Sequence, residues 1–166
     1  MKTATGNFPL GWRRRNFTWE QDLDSMIAWA KDNDLEVIDL GRDGDTSVKP
    51  VVDAGLRVGT VDLTVWEEMI SPDSNKRKDA VAKNAEYVKA CVEAGANVFF
   101  MCMLPEDKTL SHAENFGYMV ESYKELAKTF EEVDAYLVIE GWPGPGSLVC
   151  TPETYRAFIE QVGSTN

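Results

Sequence analysis

The stretch Ala135-Tyr136-Leu137-Val138-Ile139-Glu140-Gly141-Trp142-Pro143-Gly144 decides the fold. An apolar run of strand character ends in one acid, and a loop rich in Gly and Pro follows at once. Such a run reads as a strand buried on both faces, as in a parallel sheet covered by helices. Glu140 then stands where the strand opens onto a loop. Ligands of α/β folds bind at the carboxyl ends of parallel strands, so Glu140 is the first candidate for chemistry.

Outward from this run, strand and helix signals alternate. A strand is expected over residues 2–6, then a loop over 7–17 holding Trp12 and Arg13-Arg14-Arg15. Thr18 opens a helix with Gln21 as its capping-box partner, and Leu23, Met26, Ile27 and Ala30 form one apolar stripe. Residues 36–40 read as the second strand and Asp43-Gly44-Asp45 as a turn. A short helix over 47–54 is stopped by Gly55, and a third strand covers 56–63. A longer loop with Trp66 leads to a helix over 74–94 with the stripe Val81, Ala85, Val88 and Val92, closed by Gly95. The fourth strand, 97–103, is almost wholly apolar. Ser111 and Glu114 form S-x-x-E at the head of the next helix. After the strand at 136–140, Thr151 caps the last helix, with Pro152 at its first position.

Five β-then-α units make one domain, residues 1–166, built on a parallel sheet. Two architectures satisfy this alternation. One is an open, flavodoxin-like doubly wound sheet. The other is part of a (β/α)8 barrel, whose full length is typically about 250 residues.

Composition narrows the function. The chain has 17 basic and 28 acidic residues and a net charge of −11, which argues against a nucleic-acid groove. No segment is long and apolar enough to span a bilayer and no signal peptide precedes the arginines, so a cytoplasmic location is expected. Cys91, Cys102 and Cys150 match no zinc spacing. Asp43-Gly44-Asp45 lacks the distal Glu of a Ca²⁺ loop. The glycines of Gly141-Trp142-Pro143-Gly144-Pro145-Gly146 are wrongly spaced for a dinucleotide fingerprint, and its prolines remove amides that would bind phosphate.

The pattern resembles the xylose isomerase-like barrels, the sugar phosphate isomerase/epimerase superfamily. The likeness rests on Leu35-Glu36-Val37-Ile38-Asp39-Leu40, on Ser71-Pro72-Asp73 to Arg77, and on Ala90-Cys91-Val92-Glu93-Ala94-Gly95-Ala96. It continues in Leu137-Val138-Ile139-Glu140 with Pro143-Gly144, and in Thr151-Pro152-Glu153 to Val162. The resemblance implies that Glu140 is a ligand to a divalent ion, Mn²⁺, Mg²⁺ or similar, and doubles as a base. The implied reaction is metal-assisted isomerisation or epimerisation of a sugar or sugar phosphate, by proton transfer beside a carbonyl. The family's other ligands, an Asp, a His and a Glu, come from strands six to eight, which this sequence does not contain. Trp142 stands where a His is common, and the Met103-Leu104-Pro105 exit lacks a frequent His. The endonuclease branch needs several His ligands, and the chain has one His.

Substrate-binding candidates complete the reading. Asp39 stands at a strand end, as does Asp62, to hydrogen-bond hydroxyls. Trp12, Trp66 and Trp142 lie in post-strand loops, where indoles stack on sugar faces. His112 sits in a first helical turn near the same mouth, and Arg13-Arg14-Arg15 are placed to meet a phosphate. A five-stranded piece of a barrel exposes two strand edges. The expectation is therefore a fragment of a longer product that self-associates, or a partner chain that completes the barrel. The alternative readings are a non-catalytic open α/β binding module and one half of a two-chain enzyme.

Overall fold

The structure is a computed structural model that describes residues 8–166; the strand expected over 2–6 lies outside the described residues. Among them the elements run β1 (Gly11–Arg13), α1 (Thr18–Gln21), α2 (Leu23–Asp32), β2 (Val37–Leu40), α3 (Gly44–Asp53), β3 (Arg57–Asp62), a 3₁₀ turn (Glu67–Ile70), α4 (Ser74–Ala94), β4 (Val98–Cys102), α5 (His112–Glu132), β5 (Tyr136–Glu140) and α6 (Pro152–Val162). All strand pairs are parallel and the order is β1-β2-β3-β4-β5. A flavodoxin-like sheet would have its second strand outside the first, so the sequential order decides for the barrel type. The sheet is not closed.

Successive right-handed crossovers in one direction stack the helices on a single face of such a sheet. The alternation of burial follows. Ile38, Leu40, Val61, Phe99 and Met101 point toward the helices and are fully buried. Phe99 meets Phe130 of α5 edge-to-face at 5.4 Å, and Tyr123 of α5 meets Phe158 of α6 at 5.7 Å. These contacts tie β4, α5 and α6 into one core. The other face of the sheet is the inner face, and among the described residues it carries no helix.

Three local readings are corrected. The arginine loop contains β1: Gly11, Trp12 and Arg13 pair with Val37, Ile38 and Asp39. The ladder builds this strand, since three residues carry too little pattern of their own. The helix opening at Thr18 breaks at Asp22, whose extended backbone and carboxylate cap α2 through the Ser25 amide. Asp43-Gly44-Asp45 is the first turn of α3 rather than a separate turn, with the Ser47 amide bonded to the Asp43 carbonyl at 2.9 Å. Gly44 is required there, because a Cβ would collide with Val61 and the Tyr87 hydroxyl.

The run that announced the fold also departs from expectation. Strand β5 is not buried on both faces. Tyr136 is 44% and Val138 46% exposed, while Leu137 and Ile139 pack against the core. Like the other strands, β5 has helices on one side only, and as the last strand of an open sheet it has no neighbour beyond it.

Candidate functional site

The last inward residues of the five strands, Arg13, Asp39, Asp62, Cys102 and Glu140, form a stepped row: Arg13 stands opposite Asp39 and Cys102 opposite Glu140, while Asp62 stands opposite Phe100, two residues before Cys102. All five are polar or ionisable, whereas the helix-facing positions beside them are apolar. The row runs along the carboxyl end of the sheet, the end at which (β/α)8 enzymes place their chemistry.

At β1–β3 the row is knit by charge. The Arg13 guanidinium donates to both Asp62 carboxylate oxygens at 2.8 Å and lies over the Phe100 ring, 4.8 Å from its centroid. Burial pushes the Asp62 carboxyl above its usual pKa, and the charges of Arg13 and Arg42 offset only part of that. Asp39 accepts the Thr60 amide at 2.8 Å. A bulge between β2 and β3 presents that amide. Gly59 inside the bulge leaves room for the Asp39 carboxylate, which a Cβ would strike.

At the Arg13 and Asp62 end of this row the post-strand loops border a cavity of about 840 Å³. Arg14 lines it but is structural. Its side chain donates to Asp43 at 2.6 Å, to the Ser47 hydroxyl at 3.2 Å and to the carbonyls of Glu20 and Gln21. Burial pushes the Asp43 carboxyl up, but the hydrogen bonds from Ser47 and Arg14 hold it below its usual value. Trp66 forms part of the opposite wall. Its indole N–H donates to the Leu63 carbonyl, and Arg42 stacks on its ring, 4.1 Å from the centroid.

At β4–β5 the chemistry differs. The Cys102 thiol donates to Glu140 Oε2 at 3.0 Å. Burial first, and the Glu140 carboxylate second, push the thiol up to about 12, so at neutral pH Cys102 is an uncharged donor. The Tyr155 hydroxyl of α6 donates to the Ile139 carbonyl at 2.9 Å and fixes the end of β5. Glu140 itself is exposed.

The other candidates separate. Trp12 points to the helix side, where it packs edge-on against Trp29 at 5.3 Å and donates to Glu20 at 3.1 Å. It belongs to a tryptophan cluster with Trp19 and does not line the cavity. Trp142 is 44% exposed in the loop after β5. The His112 ring stacks on Phe116, its Nε2 lying 3.2 Å from the Leu148 carbonyl, so it joins the head of α5 to the loop after β5. Asp39, Asp62 and Trp66 thus cluster at one end of the row and Glu140 stands at the other. Arg42 and Cys102 were not read as site residues. Nothing in a linear sequence marks an arginine that will stack on Trp66, or a core-type cysteine that will face a carboxylate.

A resident divalent ion does not fit these groups. Among the described residues no cluster of three or more His, Cys, Asp or Glu side chains could hold one. The hydrogen-bond partner of the Glu140 carboxylate among the described residues is a thiol, whereas Mg²⁺ and similar hard cations need a shell of oxygens. Among the described residues no helix is long and apolar enough to cross a membrane.

Comparison with known proteins places this geometry. The model of the xylose isomerase-like TIM barrel family matches residues 6–166. No curated protein matches the sequence. Among solved structures, D-psicose 3-epimerase superposes with a TM-score of 0.77 at 15% identity, over 96% of this chain and 61% of the other. L-ribulose 3-epimerase gives 0.73 at 17% identity, over 95% and 58%. AP endonuclease, family 2, from Brucella melitensis gives 0.70 at 11% identity, over 95% and 66%. The chain therefore spans about three fifths of the length of the first two. At these identities the likeness is one of fold, and the family match extends over nearly the whole sequence: the chain belongs to the xylose isomerase-like TIM barrel family.

Proposed function

We propose that these five β/α units carry the first part of a sugar isomerase or epimerase site that moves a proton beside a carbonyl. The supporting observation is the row of five inward polar residues at the strand ends, with an exposed carboxylate, Glu140, beside a neutral thiol. Glu140 is the base. Its carboxylate takes the proton from the carbon next to the carbonyl, the bonding pair moves into an enediolate, and return of a proton to that carbon or its neighbour gives epimer or isomer. Cys102 orients the carboxylate through its S–H donor. Asp39 and Asp62 hold sugar hydroxyls, and Trp66 borders the sugar. Trp142 and His112 serve on the β5 side, His112 by fixing the loop. Trp12 has a packing role in this reading. A Mn²⁺ or Mg²⁺ centre would need donors beyond these strands, so the proton step is assigned to the chain's own groups.

The inner face of β5 is covered, in this proposal, by further β/α units of the same polypeptide or of another chain. The exposed Tyr136 and Val138 support this. On the helix-facing side of β5, an apolar cavity of about 480 Å³ between β5, α5 and α6, with Leu137, Tyr155 and Ile159 in its wall, supports a further unit at the open edge rather than a cover on the inner face.

The test is exchange of ketose protons with D₂O, followed by NMR on the purified chain. Exchange at the carbon beside the carbonyl, reduced at least about 100-fold by Glu140→Gln, is the expected result. A chain that binds sugars without exchange, or exchange unchanged by Glu140→Gln, would favour the non-catalytic binding module.

A further inference from the structure

The 840 Å³ cavity at the β1–β3 end is lined by four arginines, 13, 14, 15 and 42, against two carboxylates, Asp43 and Asp62. Its wall thus carries an excess of two positive charges in a chain whose net charge is −11. Two of the arginines are committed. Arg13 is paired with Asp62 and Arg14 with Asp43. The other two are not. The Arg42 guanidinium stacks on Trp66 and faces no carboxylate within ion-pair distance among the described residues. The Arg15 side chain likewise has no acidic partner there; only its backbone amide is engaged, by Glu20. A guanidinium seated over an indole is held in place while N–H groups stay available. Two unneutralised guanidiniums converging on a hollow large enough for a monosaccharide derivative make an oxyanion site.

We infer that this cavity binds the charged end of an anionic sugar, a phosphate monoester or a carboxylate on the carbon chain, with Arg42 and Arg15 as its ligands. The inference rests on the isomerase reading only for the identity of the rest of the molecule. Adjacent strands lie about 4.8 Å apart, so the Arg42 guanidinium, held on Trp66 beyond the end of β3, lies roughly 10 Å across the sheet from Glu140, with Arg15, which follows β1, further off. A ketose with its charge on the terminal carbon spans that distance, with its carbonyl end at Cys102 and Glu140. A free sugar of the same length would leave both guanidiniums without a counter-ion. The substrate class is thus a terminally charged ketose.

The test titrates the purified chain with inorganic phosphate, then with a ketose phosphate, the matching sugar acid and the free ketose, by calorimetry and tryptophan fluorescence. Phosphate should bind in a salt-sensitive manner. Arg42→Gln and Arg15→Gln should each weaken it roughly tenfold, while Arg42→Lys should retain more affinity than Arg42→Gln. The ketose phosphate or the sugar acid should bind at least about tenfold more tightly than the free ketose, and whichever does so identifies the anion. Phosphate that fails to saturate, equal affinity in both Gln variants and the parent, or no preference for either charged sugar would each overturn the inference. Glu140→Gln separates the two proposals. Phosphate affinity should survive it, so arginine-dependent anion binding without proton exchange would contradict the isomerase reading alone. Exchange on free ketoses without anion binding would contradict the anion site alone.

Discussion

The two ends of the strand-end row are built from different chemistry. At β1–β3, inward carboxylates are neutralised or bonded: Asp62 by Arg13, Asp39 by the Thr60 amide. Loops wall in the space above them. At β5, Glu140 has a thiol for its neighbour and Tyr136 and Val138 are open. One end is suited to holding charge and the other to accepting a proton. The same contrast is mechanical. Helices cover one face of both strands, but β4 has a strand on each side while β5 has one strand neighbour.

The largest test of that contrast is packing. Phe130→Ala removes the ring against Phe99 in the closed core and should cost about 3–5 kcal/mol. Val138→Ala, on the open face of β5, should cost less than about 1 kcal/mol. Urea unfolding of the two variants compares the faces directly, and equal losses would mean that the inner face of β5 is already packed.

Next in size is charge. Arg13→Gln leaves Asp62 inward without its cation and should cost about 2 kcal/mol, less than breaking a fully buried pair because Arg13 is partly solvated. Trp142→Ala, in the loop after β5, should shift stability by no more than about 0.5 kcal/mol. Thermal melts of both variants report this pair.

A subtler difference lies in acid sensitivity. The Asp43 carboxyl sits below its unfolded value, so its contribution to stability is present above that value and is lost as pH falls through the lowered one. The Asp62 carboxyl sits above its unfolded value, so its contribution is present at low pH and is lost as pH rises through the raised one. Asp43→Asn should therefore flatten the loss of stability on acidification, and Asp62→Asn should steepen it. Urea midpoints measured from roughly pH 3 to 7 check the sign for each.

Much of the scaffold was written locally. The bounds of α4, the Ser111–Glu114 capping box and the Thr151 cap with Pro152 are all as the sequence reads, because caps and glycine stops act within a few residues. Gly95 and Gly163 close their helices with positive φ for the same reason. What was not legible depends on distant partners. The expected stripe is only part of the buried face of α4: Val88 is fully buried and Val81, Ala85 and Val92 pack against the core, but other side chains, two of them strongly polar, are buried beside them. Arg77, Ala80, Asn84, Tyr87 and Cys91 are buried, since Arg77 donates to the Ser71 carbonyl and Asn84 accepts the Thr64 amide. Hydropathy assigns such side chains to solvent until those acceptors and donors are in place. Strand β1 is visible only through its ladder with β2. Glu140 was readable as a strand-end acid from its own neighbours. Its thiol partner lies 38 residues away, and the Arg13–Asp62 pair joins residues 49 apart.

The account's central claim is that both ends of the row act on one molecule. Backbone NMR shifts recorded while a terminally phosphorylated ketose is titrated into the chain test it most directly. The amides of Arg42 and Asp62 at one end and of Glu140 and Gly141 at the other should move together and saturate at one common Kd. Shifts confined to one end, or two ends titrating with different affinities, would contradict it.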